Sequence, residues 1–244
     1  MNNYNKIAIH EMKQWQVKMS KKPFFLSNIP KAMQNKMNSF IPEKAHKVIT
    51  EAIKNMIRAV LLGSEVTSSK PMINGSLETR EKEVEKKLDF YKKAAAASGA
   101  GTGAGGFWLG MADFPILLSL KLKFLFEVAS IYGFDMKDYK ERLYVLYVFQ
   151  LAFSSQERRN EVFREVANWE EYAKHLPEDI NAFDWRKFQQ EYRDYIDLAK
   201  MLQLVPVIGA AVGAVANYRL MNQLGETAMN AYRLRVYNMG HLKE

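Results

Sequence analysis

Residues 98–115, SGAGTGAGGFWLGMADFP, place six glycines in eighteen positions, and nothing else in the chain restricts its possible folds so strongly. A glycine inside a helix costs about 0.5–1 kcal/mol relative to alanine. A run this dense is best accounted for where a phosphate, a bilayer or another backbone has to come close. Gly101, Gly103 and Gly106 formally match the dinucleotide pattern G-x-G-x-x-G. That pattern works where a strand delivers the chain into a helix amino terminus. Here a charged helix-forming run, LETREKEVEKKLDFYKKAAAA, precedes the glycines, and Phe107 and Trp108 follow where a phosphate loop would carry Lys and Ser or Thr. Nucleotide binding is set aside on that context.

A membrane span is the second reading, because residues 94–112 carry no formal charge over nineteen positions. Thirteen of these are Gly or Ala, and only Phe107, Trp108, Leu109 and Met111 are large apolar groups. So little hydrocarbon inserts weakly. The uncharged segment 204–216 has thirteen residues and is too short to cross alone. A re-entrant or surface-inserted hairpin suits these lengths better than a full span. Close helix contact is the third reading. Gly99/Gly103, Gly101/Gly105, Gly106/Gly110 and Gly209/Gly213 are four apart, a spacing that leaves a groove on a helix for another backbone. The favoured expectation is two small-residue segments meeting inside one helical domain, with Gly103, Gly106, Gly209 and Gly213 at the contact.

The remaining periodicity is helical throughout. Tyr4, Ala8, Met12, Trp15 and Met19 form an apolar stripe that Lys6, Lys13, Lys18, Lys21 and Lys22 mostly avoid, which predicts a basic amphipathic helix within an amino-terminal arm, residues 1–41. Ala45 to Val60 predicts a second helix, and 63–76 collects turn formers and reads as a mobile loop, with Ser76 placed to cap the next helix. Asp113 before Pro115 reads as the N-cap of an apolar helix closing at Gly133. Asp135, Ser155 and Asp184 are read as the caps of later helices, and Pro206 opens a last one running to about Val236. No alternating run bounded by hairpin turns occurs, so the expected fold is a single all-α domain of about eight helices over residues 1–244.

Charge localises an interaction surface. Residues 1–61 hold eleven Lys and Arg against three acids, and the rest of the chain is balanced. Such a field attracts phosphate-bearing surfaces, anionic lipid or nucleic acid. Nucleic acid ranks lower because no recognisable binding module is present. Lys13, Lys18, Lys21 and Lys22 are the candidate anionic contacts. Trp15, Phe24 and Phe25 beside them either enter a lipid interface or pack as core.

Candidate chemistry is sparse. With no cysteine there is no thiolate nucleophile, disulfide or Cys-rich zinc site. His10, His46, His175 and His241 are scattered singly, without HExxH, and no GxSxG elbow appears. No metal, cofactor or catalytic residue is therefore expected. Asp113 is the most interesting acid, with capping preferred over catalysis or ion binding. A buried polar contact between Asp113 and Asn217 is expected if the two small-residue segments abut. Arg219, Arg233 and Arg235 read as cations near a helix end. The opening residues lack a secretory signal pattern, so an intracellular location is expected.

Several motifs together carry a resemblance. They are the glycine run closing in Ala112-Asp113-Phe114-Pro115, then Tyr132-Gly133-Phe134-Asp135, and Pro206-Val207-Ile208-Gly209-Ala210-Ala211-Val212-Gly213 leading to Asn217-Tyr218. With Glu11, Trp15 and the helix start Ile41-Pro42-Glu43-Lys44, the chain resembles the EcsC protein family over nearly its whole length. That family is named for its place beside an ABC transporter. The resemblance implies a non-enzymatic accessory or regulatory role at the cytoplasmic face of the membrane, with anionic lipid or transporter subunits as partners. A carrier of lipid or another hydrophobic ligand, or a lipid-handling enzyme, is the competing expectation.

Overall fold

The charged run that opens at Leu77 continues as helix into the glycines instead of stopping before them. The computed structural model describes residues 3–21, 43–62, 70–103, 106–155, 158–184, 186–188, 190, 192 and 209–242. Its helices are α1 (Asn3–Ser20), α2 (Glu43–Leu62), α3 (Leu77–Gly103), α4 (Gly106–Tyr132), α5 (Tyr139–Phe153), α6 (Arg159–Ala167), α7 (Trp169–Lys174) and α8 (Gly209–Asn238), with a 3-10 turn at Ile180–Ala182. No strand occurs among the described residues, and the fold is a single all-α domain.

α3 and α4 form an antiparallel hairpin. Tyr91 donates to Glu127 at 2.8 Å, and nearer the glycines Ser98 donates to Asp113. α8 runs antiparallel along α3, with Glu81 meeting Arg233, Leu88 meeting Gly225, and Lys92 lying 5.1 Å from the Tyr218 ring. Continued along both helices, this register puts the glycine end of α3 and the glycine start of α8 at the same end of the pair. α5 lies at the centre. Every residue from Arg142 to Phe153 is buried, as expected for a helix that is apolar all round.

The observed boundaries correct several expectations. Asp113 is not an N-cap: it lies in the interior of α4, which begins at Gly106, and its carboxylate is satisfied by Ser98 across the hairpin. Pro115 is consequently inside the helix. The hydrogen bond it forfeits is tolerated because Phe114, Leu117 and Leu118 around it are buried in the core. α5 is capped by Asp138, whose carboxylate accepts from the Lys140 N–H at 2.8 Å, while Asp135 accepts from Lys137 in the preceding turn. The stretch after Ser155 divides into α6 and α7 at Asn168, where both the backbone N–H and the side-chain amide turn back to the Arg164 carbonyl.

Other local signals appear as read. Ser76 accepts from the Thr79 N–H, Asp184 accepts from the Lys187 N–H, and Gly133 leaves α4 with φ of 100°. Of the loop 63–76, residues 63–69 lie outside the described residues. Met72 in its second half donates to the Ser130 carbonyl at 2.8 Å, and Arg80 holds the carbonyls of Ile73, Gly75 and Ile131.

Candidate functional site

α1 turns one side into the protein and the other to solvent. Ala8, Ile9, Met12, Trp15 and Met19 are buried. Lys6, Lys13, Lys18 and Lys21 are exposed. Two apolar side chains share the outer face with these lysines, Ile7 at 51% and Val17 at 58% exposure. Trp15 belongs to the core: it is 4% exposed and meets Phe163 of α6 edge to face, with ring centroids 5.4 Å apart. Its place in the apolar stripe carries it inward, so the expectation that it contacts a membrane is corrected. Lys13 lies 5.8 Å from the Tyr237 ring and Lys18 lies 3.5 Å from Glu226. Lys22, Phe24 and Phe25 fall outside the described residues.

The orientation of α1 is set by polar anchors as well as by its apolar face. Arg233 of α8 forks onto Glu81 of α3 at 2.7 and 2.6 Å and reaches Glu11 of α1 at 2.8 Å. Glu81 is fully buried and also accepts from Tyr4 of α1 at 2.7 Å and from Tyr132 of α4 at 2.9 Å. Four helices thus converge on one carboxylate. Burial disfavours the charged Arg233, but the bonds to Glu81 more than offset this and hold its pKa above the ordinary arginine value. Burial raises the pKa of Tyr4 and Tyr132, and Glu81 adds to the shift. At the far end of α1, Asn160 donates to the Ser20 carbonyl at 2.7 Å.

Arg235, two residues further along α8 and so turned to a different side of it, forms a second anchor. It forks onto Glu141 of α5 and bonds Glu170 of α7 at 2.6 Å, with its guanidinium 4.0 Å from the centroid of Phe134 and 4.7 Å from that of Tyr144. Burial raises the pKa of Glu141 even though Arg235 opposes the shift. Arg233 and Arg235 are therefore buried, paired groups that join helices, and Arg235 also stands in the last turn of α8, as its reading as a helix-end cation expects. No local pattern signals this, because Glu81 and Glu141 lie 152 and 94 positions away.

The small-residue candidates are spread along the hairpin and α8. Gly103 ends α3, Gly106 begins α4 and Gly209 begins α8. Gly213 and Asn217 are buried, and the Asn217 amide donates to the Gly213 carbonyl one turn back at 3.3 Å. The partner found for Asp113 is Ser98. The tight helix approach that the structure defines lies at a glycine not singled out above: a Cβ on Gly225 would sit 2.6 Å from both methyls of Leu88. Lys121, fully buried in α4, was also missed; an unbroken apolar neighbourhood at i±3 and i±4 was its only signal. Among the described residues no cluster of His, Asp or Glu could hold a metal ion, and no helix is long and apolar enough to cross a membrane.

A single all-helical domain with a basic, partly apolar outer helix defines the class. The EcsC protein family model matches residues 6–236, and the chain belongs to that family. It is 46% identical over 233 residues to Protein EcsC of Bacillus subtilis (strain 168), covering 95% of this chain and 96% of that one. It is 28% identical over 249 aligned positions to the uncharacterized protein YdbA of the same organism, covering 93% and 90% respectively. No solved structure gives a significant match.

Proposed function

We propose that this EcsC-family protein is a non-catalytic accessory of an ABC transporter, docking peripherally on the anionic inner face of the membrane through the outer side of α1. One observation carries the reading. Four lysines, Lys6, Lys13, Lys18 and Lys21, are exposed on and just beyond a helix that also exposes Ile7 and Val17. Cations with interspersed apolar side chains suit a headgroup boundary, each basic group contributing about 1 kcal/mol near an anionic surface. Anchoring of α1 by Glu81, Arg233 and Phe163 presents that face from a rigid body. The transporter link comes from the family resemblance.

Sedimentation with phosphatidylglycerol-containing vesicles, compared with phosphatidylcholine alone, tests the docking. The expected result is binding to the anionic vesicles, lost on Lys13→Glu/Lys18→Glu/Lys21→Glu with helical content retained. Equal binding to both vesicle types rejects the electrostatic part. Co-purification of the transporter subunits with the tagged full chain from membranes tests the accessory role, and their absence from the eluate counts against it.

A further inference from the structure

At the glycine end of the bundle α3, α4 and α8 come together, and the exposed residues there, among those described, are uncharged. α3 carries no charge from Ala94 to Gly103, and α8 none from Gly209 to Tyr218. On α4 the only charge before Lys121 is Asp113, which accepts from Ser98. Ala97 of α3, Ala112, Pro115 and Ile116 of α4 and Val215 of α8 are exposed, Ile116 at 56% and Val215 at 50%. Polar side chains in this region turn back onto the protein: Ser98 onto Asp113, Ser119 onto the Pro115 carbonyl at 2.8 Å, and the Asn217 amide onto the Gly213 carbonyl. α1 and α5 stop short of it, since Lys18 near the end of α1 lies beside Glu226, and Gln223 donates to the Ala152 carbonyl near the end of α5. Neither uncharged segment holds much hydrocarbon alone. Side by side, with Ile116 and Val215 added, they make one apolar surface of the kind that marks an interaction site.

A collar of cations bounds that surface. Moving away from the glycines, the first exposed charged residue on each helix is basic: Lys93 on α3, Lys123 on α4 and Arg219 on α8. Contacts between the helices put the three at one level. Lys92, next to Lys93, lies 5.1 Å from the ring of Tyr218, next to Arg219, and Tyr91 donates to Glu127, one turn from Lys123. Asp89, one turn further back on α3, is paired with Lys92 at 2.8 Å. From Ala94 to Gly103 α3 runs ten residues beyond the collar, about 15 Å at 1.5 Å per residue, which is half of the roughly 30 Å hydrocarbon core of a bilayer. Basic side chains with long apolar stems, and a ring such as Tyr218 at 44% exposure, suit the headgroup boundary of an anionic leaflet. An uncharged end whose polar groups are bonded internally suits the hydrocarbon beyond it. An apolar pocket on another protein gives no reason for charges of one sign at one depth.

We propose that this end of the bundle inserts into the hydrocarbon of one anionic leaflet, without crossing the bilayer, and that Lys93, Lys123 and Arg219 sit among the headgroups. The surface is distinct from the outer face of α1, and the inference stands without the docking reading above. The chain has no cysteine, so single cysteines at exposed positions can each carry an environment-sensitive fluorophore. Labels on Ile116→Cys and Val215→Cys report on the glycine end, and a label on Val17→Cys reports on the outer face of α1. Ile73→Cys, at a residue 86% exposed by the opposite end of the α3–α4 hairpin, is the control. Each full-length labelled chain is mixed with phosphatidylglycerol-containing vesicles whose acyl chains are brominated. Quenching is expected at positions 116 and 215 and not at 73. Ile116→Asp/Val215→Asp should weaken vesicle binding tenfold or more with helical content retained. Quenching at position 17 alone overturns the insertion and leaves the α1 docking in place, whereas quenching at 116 and 215 without 17 supports the insertion and counts against α1. Failure of the chain to bind these vesicles overturns the proposal, as does undiminished binding by the folded Ile116→Asp/Val215→Asp protein.

Discussion

Lys121 stands on the side of α4 that carries Leu117, Leu118, Phe124 and Leu125, all buried, and no acceptor among the described residues reaches its ammonium group. Burial pushes its pKa down to about 7, from an ordinary value of 10.5. Between those pH values the unfolded chain binds a proton that the folded chain lacks, so stability rises with pH across that window. At lower pH both states are protonated and the folded state bears the whole cost of the buried charge. Lys121→Met removes that cost. At about 1.4 kcal/mol per pKa unit, the variant should gain several kcal/mol at pH 6, and the gain should shrink steadily from pH 7 towards pH 10.5; urea unfolding at pH 6 and pH 9 measures the difference. Gly225 makes the opposite prediction. An added methyl would sit 2.6 Å from both Leu88 methyls, and overpacking of this kind costs about 1–3 kcal/mol. Gly225→Ala should lower the melting temperature despite the better helix propensity of alanine, and Leu88→Ala in the same chain should lessen that loss, giving non-additive effects.

α8 joins the other helices through two adjacent arginine forks, Arg233 onto the α1–α3–α4 side and Arg235 onto α5 and α7. Removing one member of a buried pair leaves an uncompensated charge and costs roughly 3–5 kcal/mol, whereas replacing both with apolar groups is often neutral. Arg233→Met should therefore destabilise strongly and loosen α1, which loses the Glu11 contact, while Arg233→Met/Glu81→Leu should recover much of the stability. Denaturant unfolding together with amide exchange in α1 would distinguish these outcomes. The hairpin has a smaller tie of its own at Ser98 and Asp113. Asp113→Ala should cost about 1–3 kcal/mol, the range for a charge-assisted hydrogen bond left unmade, readable as a drop in the same unfolding midpoint.

Across the whole molecule, the surplus of positive charge in residues 1–61 is displayed on a helix that is locked into the core. If this face docks on lipid by charge, vesicle affinity should fall steeply between low and physiological salt, as the screening length shrinks from about 30 Å at 0.01 M to about 8 Å at 0.15 M; sedimentation across a salt series checks this, and salt-independent binding would assign the contact to Ile7 and Val17 instead. The all-helical class, the inward stripe of α1, the Ser76 and Asp184 caps and the turn at Gly133 were legible from local pattern, because helix periodicity and capping depend on residues within a few positions of one another. Legibility failed where a partner far along the chain intervened. Asp113 looks like a cap until Ser98 is folded against it, Arg233 and Arg235 look like surface cations until Glu81 and Glu141 arrive, and Trp15 had two equal readings until Phe163 met it. The sequence by itself determined that the chain is helical and which face of α1 is apolar, because those preferences are local; only the tertiary structure decided where α4 begins, which charges are buried and which glycine is crowded, because each of those depends on what another helix brings alongside.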